Sequence, residues 1–223
     1  MAAVLAIAVA AVVPAAGGHG SAAAAATRIA GQRESRAMLA GIPQDGIALG
    51  SAAAPVTLRV FADLQCPYCR RFALQTLPLI VRDYVRPGKV RIEYEDIAFL
   101  GPDSEKAAAA AAAAGQQDRL WHFVDLVYFN QGPENTGYVT RGFVHRLYRA
   151  VPGLNVARAE TARRRAPATR ATARPRRLAA RYGVSATPSF LVGPTGGPYQ
   201  PLQATVGYDG YRRALDAVLG RTS

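Results

Sequence analysis

Apolar positions change their period several times along the chain, and each change marks an element. Residues 1–16, MAAVLAIAVAAVVPAA, are apolar throughout, and GGHGSAAAAA follows before the first charge at Arg28. The run falls short of the roughly 20 residues a spanning helix needs. It has the form of the apolar core of an export signal, with small residues downstream as cleavage sites, although the usual preceding positive residues are missing. Residues 1–27 are therefore expected to be a signal peptide or short membrane anchor, the alternative being an Ala-rich tail. Residues 28–46 read as a polar linker that ends in the turn-forming Pro43-Gln44-Asp45-Gly46.

Strand patterns come next, at 47–49, at 56–62 (VTLRVFA, rich in β-branched residues) and at 90–99, which alternates partway. Between the last two, Phe72, Leu77, Ile80, Val81 and Tyr84 recur at helical spacing, with Pro78 a predicted kink. Strand, helix, strand is a βαβ unit, so a parallel pair is expected. A helical region follows at 104–129, 138–150 and 156–182, and the eight alanines at 107–114 read there simply as a strong helix former. Strand character returns at 189–192 and 204–207, joined by GPTGGPYQP as an antiparallel hairpin, and an amphipathic segment at 211–219 closes the pattern. Strands at both ends with helices between them predict one α/β domain over 47–222, its sheet interrupted by a helical insertion at about 103–182.

Composition narrows the classes. Half of the 223 residues are hydrophobic and 19% are charged, which argues against disorder, although 45 of them are Ala and overstate the core. Two cysteines are too few for a disulfide scaffold or a four-ligand structural zinc domain. The net charge of +12 comes from 25 Arg and 2 Lys against 15 acids, and so much Arg with so much Ala suggests a coding bias. Nine arginines and a single acid, Glu160, lie between Arg158 and Arg181. The stretch has no interleaved aromatic before Tyr182, so it reads as a solvated helical face and not as a nucleic-acid site. Its functional alternative is attraction to anionic lipid or acidic substrates. Trp121, Phe123, Tyr128 and Phe129 fit a helix packing face.

The cysteines occur as Cys66-Pro67-Tyr68-Cys69, where a strand gives way to a helix. A bridge between neighbours on one helical turn closes almost no loop, so it would stabilise little. Chemistry explains the placement better. A cysteine at a helix N-terminus faces unpaired N–H groups and the positive end of the dipole, which stabilise its thiolate. Cys66 is thus the expected nucleophile, and Cys69, one turn on and more buried, the resolving thiol. Pro67 suits the first helical turn. The metal alternative needs two further ligands from His19, His122 and His145, the first in the signal-like segment and the others in helical segments. Asp63, near the motif, is either a proton relay to Cys69 or, as the better reading, a turn and helix-entry residue. Far along the chain, Gly183-Val184-Ser185-Ala186-Thr187-Pro188 puts a proline directly before a strand, a place where a cis Thr-Pro bond would be a specific feature.

With these residues together, the chain resembles the DsbA-like thiol:disulfide oxidoreductases of the thioredoxin-fold superfamily. The resemblance rests on residues 61–72 (FADLQCPYCRRF), 101–104 (GPDS), Trp121, 130–135 (NQGPEN) and 183–192, within about 42–219. It implies a thioredoxin-like fold: a central mixed sheet flanked by helices, with a helical insertion between the βαβ half and the C-terminal β-hairpin. The separation of Cys69 from Pro188, roughly 120 residues, leaves room for that insertion, which plain thioredoxin and glutaredoxin lack. It also implies a cis-proline loop at Pro188 that lies against the dithiol and pairs with bound substrate. Pro67, Tyr68 and Thr187 would tune the potential, and Tyr68 stands where the best-known strong oxidants have histidine. Val60 occupies the place of thioredoxin's buried carboxylate.

The implied activity is disulfide exchange with exported proteins through Cys66, Cys69 and Pro188, with net oxidation favoured. No cofactor beyond the redox-active Cys66–Cys69 pair is expected. Alternatives are an envelope reductase for a narrow client such as an apocytochrome, or a non-catalytic redox-sensing module. Expected partners are exported proteins carrying thiols or disulfides and a membrane redox partner that recycles the site, with no nucleic acid. The expected form is a monomer in the cell envelope, outside the cytoplasm.

Overall fold

The computed structural model describes residues 29–165, 168–202 and 207–221. The signal-like segment 1–27 and positions 204–206 of the second hairpin strand lie outside the described residues.

Six strands form one mixed sheet: β1 (Gln44–Asp45), β2 (Ala48–Leu49), β3 (Val56–Ala62), β4 (Val90–Asp96), β5 (Ser189–Pro194) and β6 (Gln200–Leu202). Their spatial order is β1-β2-β4-β3-β5-β6. β3 pairs parallel with β4, as the βαβ pattern requires, and antiparallel with β5. All but one of the β3 residues are buried. A central strand covered on both faces by helices reads as a nearly continuous apolar run, and VTLRVFA does so except at Thr57 and Arg59.

The hairpin is tighter than its composition suggests. β6 lies within the Gly/Pro stretch that reads as loop, with Leu191 opposite Pro201. Proline is tolerated there because β6 is an edge strand with no further ladder bond to make on its outer side. Gly193 is obligatory on steric grounds, since a Cβ at that position would lie 2.2 Å from the Pro198 carbonyl oxygen.

The 28–46 segment also departs from the linker expectation. Gln32–Leu39 forms helix α1 and buries Ser35 and Leu39 against the helix at 120–129. The sequence QRESRAML conceals it because a short helix that buries only a narrow stripe shows little apolar periodicity. Its entry is locked by Asn130, whose amide exchanges hydrogen bonds with the Ala30 backbone.

Helix α2 occupies residues 67–85. It starts as α-helix at Pro67–Arg71, widens to a π-helical turn at Phe72–Thr76, and passes through Leu77–Ile80 into a second π-helical stretch at Val81–Val85. Pro78 supplies the cause: it has no N–H to donate and its ring crowds the preceding turn. The Leu77 N–H reaches back to the Phe72 carbonyl, so the helix widens around the proline and continues.

The insertion comprises α3 (Pro102–Gly115), α4 (Leu120–Phe129), α5 (Arg141–Ala150), α6 (Val156–Arg165) and α7 (Ala168–Arg181), and α8 (Tyr208–Leu219) closes the chain. The alanine run has a packing role beyond helix propensity. Ala107, Ala108, Ala110, Ala111, Ala113 and Ala114 are all buried, and α4, α6 and α7 pack around α3. Small side chains on several faces let three helices approach one axis closely.

The arginine-rich stretch is likewise more than a solvated face. Arg174 bonds the fully buried Glu95 at 2.9 Å, and Arg176 donates to the Ile97 and Ala98 carbonyls at 2.8 and 2.6 Å. Arg59, on the face of β3, completes the cluster by bridging Glu93 and Glu95 under the Tyr199 ring. Together with Ala179 packed on Phe61, Ile97 and Leu191, these contacts seat α7 on the sheet. Burial pushes the Glu95 pKa up, and the Arg174 and Arg59 charges oppose that push. Removing one member of a buried ionic cluster leaves the rest uncompensated. Glu95→Ala is therefore expected to cost about 3 kcal/mol, seen as a lower urea midpoint with unchanged m-value, while Glu93→Ala costs less.

Candidate active site

Strand β3 ends at Ala62, and the next four residues turn the chain into α2. Asp63 organises that turn. Its side chain is fully buried. Oδ1 accepts from the Gln65 N–H (2.8 Å) and the Ser104 hydroxyl (2.6 Å), and Oδ2 accepts from the Phe99 and Leu100 N–H groups (2.8 and 3.0 Å). Both carboxylate oxygens are thus occupied by the turn, the loop after β4 and the start of α3. This is the turn-residue alternative, with a longer reach than a local cap. The Gln65 amide extends the network to Ser104 and Asn135, and the Gln131 amide donates to the Leu64 and Cys66 carbonyls. The NQGPEN stretch therefore buttresses the turn from the insertion. No local pattern marks Gln131 and Asn135 for this role, because the contacts that define it span about 70 residues.

Cys66 caps the N-terminus of α2 in extended conformation, and Pro67 stands in the first turn. The two cysteines are free thiols in this structure. Each sulfur experiences a different environment. The Cys66 pKa is lowered to about 6, first by hydrogen bonding from Cys69, against the opposing effect of burial, and further by Thr187 and the Cys69 and Tyr68 backbone N–H groups. Burial, followed by the neighbouring Cys66, drives the Cys69 pKa well up. These opposite shifts favour the thiolate at Cys66 and the protonated thiol at Cys69.

The Thr187–Pro188 peptide is cis, and it brings β5 up to the dithiol from across the sheet. Cys66 Sγ lies 3.4 Å from the Thr187 carbonyl oxygen. Thr187 Oγ1 is buried without another hydrogen-bond partner among the described residues, and its influence lowers the pKa of both thiols. Pro188 lines a small cavity together with Cys69. Tyr68, by contrast, is 63% exposed and carries the Arg71 guanidinium 5.7 Å over its ring. Phe99, 49% exposed, is the other exposed large hydrophobic side chain among the described residues.

The structure thus gathers Cys66, Cys69, Pro67, Tyr68, Thr187, Pro188 and Asp63 at one end of the sheet. It places the histidines elsewhere: His122 meets Gln44, and His145 meets Glu160. His19 lies outside the described residues. Among the described residues no cluster of three or more His, Cys, Asp or Glu could hold a metal ion.

A family model described as thioredoxin matches residues 43–216, most of the chain. The chain belongs to the thioredoxin family. Among curated proteins it is similar to the probable disulfide bond formation protein D of Bacillus cereus, 34% identical over 94 residues. That match spans 41% of this chain and 44% of the relative, so the chain covers less than half the length of the curated relative it matches. Among solved structures it is similar to oxidised BdbD from Bacillus subtilis, with a TM-score of 0.69 and 22% identity over 80% of this chain and 97% of that one. Alpha-DsbA1 of Wolbachia pipientis gives a TM-score of 0.66 and 19% identity over 84% and 97%. The fold is therefore DsbA-like within the thioredoxin family, with the helical insertion in the expected place.

In the reduced protein, absorbance at 240 nm is expected to rise through a midpoint near pH 6 as the Cys66 thiol ionises. Cys69→Ala removes the largest stabilising contact to that thiolate, so the midpoint moves upward. A midpoint left in place would assign the low pKa to the helix N-terminus and Thr187 instead.

Proposed function

We propose that the protein is a thiol:disulfide oxidoreductase that exchanges disulfides with exported proteins through Cys66, with Cys69 resolving and the Thr187–Pro188 loop shaping the site. The observation that carries this reading is the asymmetric placement of the two thiols: Cys66 caps the N-terminus of α2 with its sulfur 3.4 Å from the Thr187 carbonyl oxygen, and Cys69 lies one turn deeper, which moves their pKa values in opposite directions. Such a pair can form a mixed disulfide at the outer sulfur and collapse it from the inner one. The name of the Bacillus cereus relative, a disulfide bond formation protein, supports the same reading.

Net oxidation is the favoured direction. Stabilising the Cys66 thiolate stabilises the dithiol form, which makes the disulfide form a better oxidant. A value of about 6 lies between the roughly 7 of thioredoxin and the roughly 3.5 of DsbA. In the cell envelope the reverse direction would also need a dedicated reductant. The recycling partner is a membrane-bound oxidant of dithiols, and the enzyme acts as a monomer outside the cytoplasm, delivered there by its N-terminal segment. No described helix is long and apolar enough to cross a membrane.

Cys69→Ala expressed in the cell envelope should accumulate clients and the recycling partner as mixed disulfides on Cys66, visible as bands lost on reduction. An empty trap would sink the proposal. The measured reduction potential against glutathione then fixes the direction, and a value near or below that of thioredoxin, roughly −270 mV, would favour the reductase.

A further inference from the structure

The nine arginines between Arg158 and Arg181 do not share one fate. Arg163 and Arg164 turn toward Glu160, Arg174 binds Glu95, Arg176 holds the Ile97 and Ala98 carbonyls, and Arg181 lies over the Tyr182 ring. The side chains of Arg158, Arg165, Arg170 and Arg177 have no partner among the described residues. Three of these four, Arg158, Arg165 and Arg170, line a single open groove of about 640 Å³ between the end of α3, helix α6 and the first turn of α7. Thr161, Asn155 and Gln116 supply the rest of its polar lining, and no carboxylate lines it.

The local geometry gathers positive charge here. Arg158 and Arg165 are seven residues apart, so they share one face of α6 and are offset by about 10 Å along its axis. Arg170 approaches from α7. The first turn of α6 also lines the groove, and its N–H groups and dipole add to the positive potential. That corner is held in place before any ligand arrives. The Gln117 side chain brackets the Asn155 backbone, accepting from its N–H at 3.0 Å and donating to its carbonyl at 3.2 Å. Asn155 Oδ1 in turn accepts from the Arg158 N–H at 2.9 Å. Guanidinium groups around one concavity with no acid between them repel one another, and a groove concentrates their field more than a flat surface does. An anion relieves both.

We propose that this groove binds a ligand that presents two or more phosphate groups. Its donors come from three elements, which suits the tetrahedrally arranged oxygens of phosphate, whereas a planar carboxylate offers two oxygens to one guanidinium fork. The offset between Arg158 and Arg165 is longer than one phosphate, so the ligand carries them in a row. The apolar residues of the groove are only Ala157 and Ala162, too small to anchor the side chains of a peptide, and there is no aromatic on which a base could stack. A soluble oligophosphate and the headgroup layer of an anionic bilayer share the required chemistry. The groove is separate from the dithiol. Ser104 in the first turn of α3 bonds Asp63 at the active end, and Gln116 follows the last of that helix's 14 residues, about 20 Å away along its axis. A ligand held there leaves Cys66 open.

The test titrates the full chain at about 0.1 M salt, where unpaired surface charges beyond about 10 Å are screened. Tripolyphosphate is added by calorimetry and phosphatidylglycerol vesicles by sedimentation, with phosphatidylcholine vesicles as the baseline for the apolar N-terminal segment. An arginine at an anionic headgroup layer is worth a factor of about five. The triple variant Arg158→Gln/Arg165→Gln/Arg170→Gln should therefore bind on the order of a hundred-fold more weakly. Arg33→Gln/Arg141→Gln/Arg149→Gln removes the same charge from exposed positions elsewhere and should bind nearly as the wild type does. As a check that needs no variant, the Nε–H NMR signals of Arg158, Arg165 and Arg170 in the wild type should move on adding tripolyphosphate or short-chain phosphatidylglycerol. Binding of tripolyphosphate alone would make the ligand a soluble oligophosphate, and binding of the vesicles alone a headgroup layer; either supports the site. Equal loss in the two triple variants, tighter binding of an oligoglutamate peptide, no binding of either phosphate probe, or arginine signals moved by neither would overturn it.

Discussion

The buried carboxylate of Asp63 is the constraint on which the active end of the molecule depends. A charge with no solvent contact is tolerable only if hydrogen-bond donors surround it. Here the donors come from Gln65 in the turn, Phe99 and Leu100 after β4, and Ser104 at the start of α3. Satisfying one residue therefore fixes three segments relative to the end of β3. The position of Cys66 at the mouth of α2, the direction in which α3 leaves the sheet, and the exposure of Phe99 all follow from that arrangement.

Once the turn is fixed, the two thiols differ in their hydrogen bonding and in their depth. Cys66 meets backbone N–H groups and the Thr187 carbonyl at the end of the helix, and Cys69 faces inward onto apolar walls. The π-helical widening around Pro78 lets α2 continue across the sheet without a break, so that Phe72 packs on Phe190 of β5 and Tyr211 of α8 at centroid distances of 4.8 and 5.5 Å. The segment that carries the dithiol is thereby packed against the strand that carries the cis-proline loop. Chemistry and core share the same contacts.

The helical insertion does more than lengthen the chain. It buttresses the active turn with Gln131 and Asn135, closes the far side of the dithiol cavity with Trp121, Asp125 and Tyr128, and is seated on the sheet by the Glu95 cluster. The dense arginine stretch supplies part of that seating. Arg174 binds the buried Glu95, and Arg176 the carbonyls after β4.

Much of this was legible in the sequence. Hydrophobic period gave the βαβ unit, the helical interruption and the return to strand, because period 2 and period 3.6 are set by backbone geometry over a few residues. The dithiol was legible too, since a CxxC at a strand-to-helix junction and a distant Thr-Pro before a strand each carry a local physical signature. Helix α1, edge strand β6 and the packing role of the alanine run were not, because polar composition, prolines and low complexity masked short elements held by their neighbours. The sequence by itself therefore determined the order of most elements and the placing of the two cysteines where β3 gives way to α2. Only the tertiary structure decided which acids are buried and what they face: Asp63 toward four donors, Glu95 toward Arg59 and Arg174, Asp125 toward the cavity beneath Cys69. The burial of a polar group is set by partners far along the chain, and no local pattern encodes it.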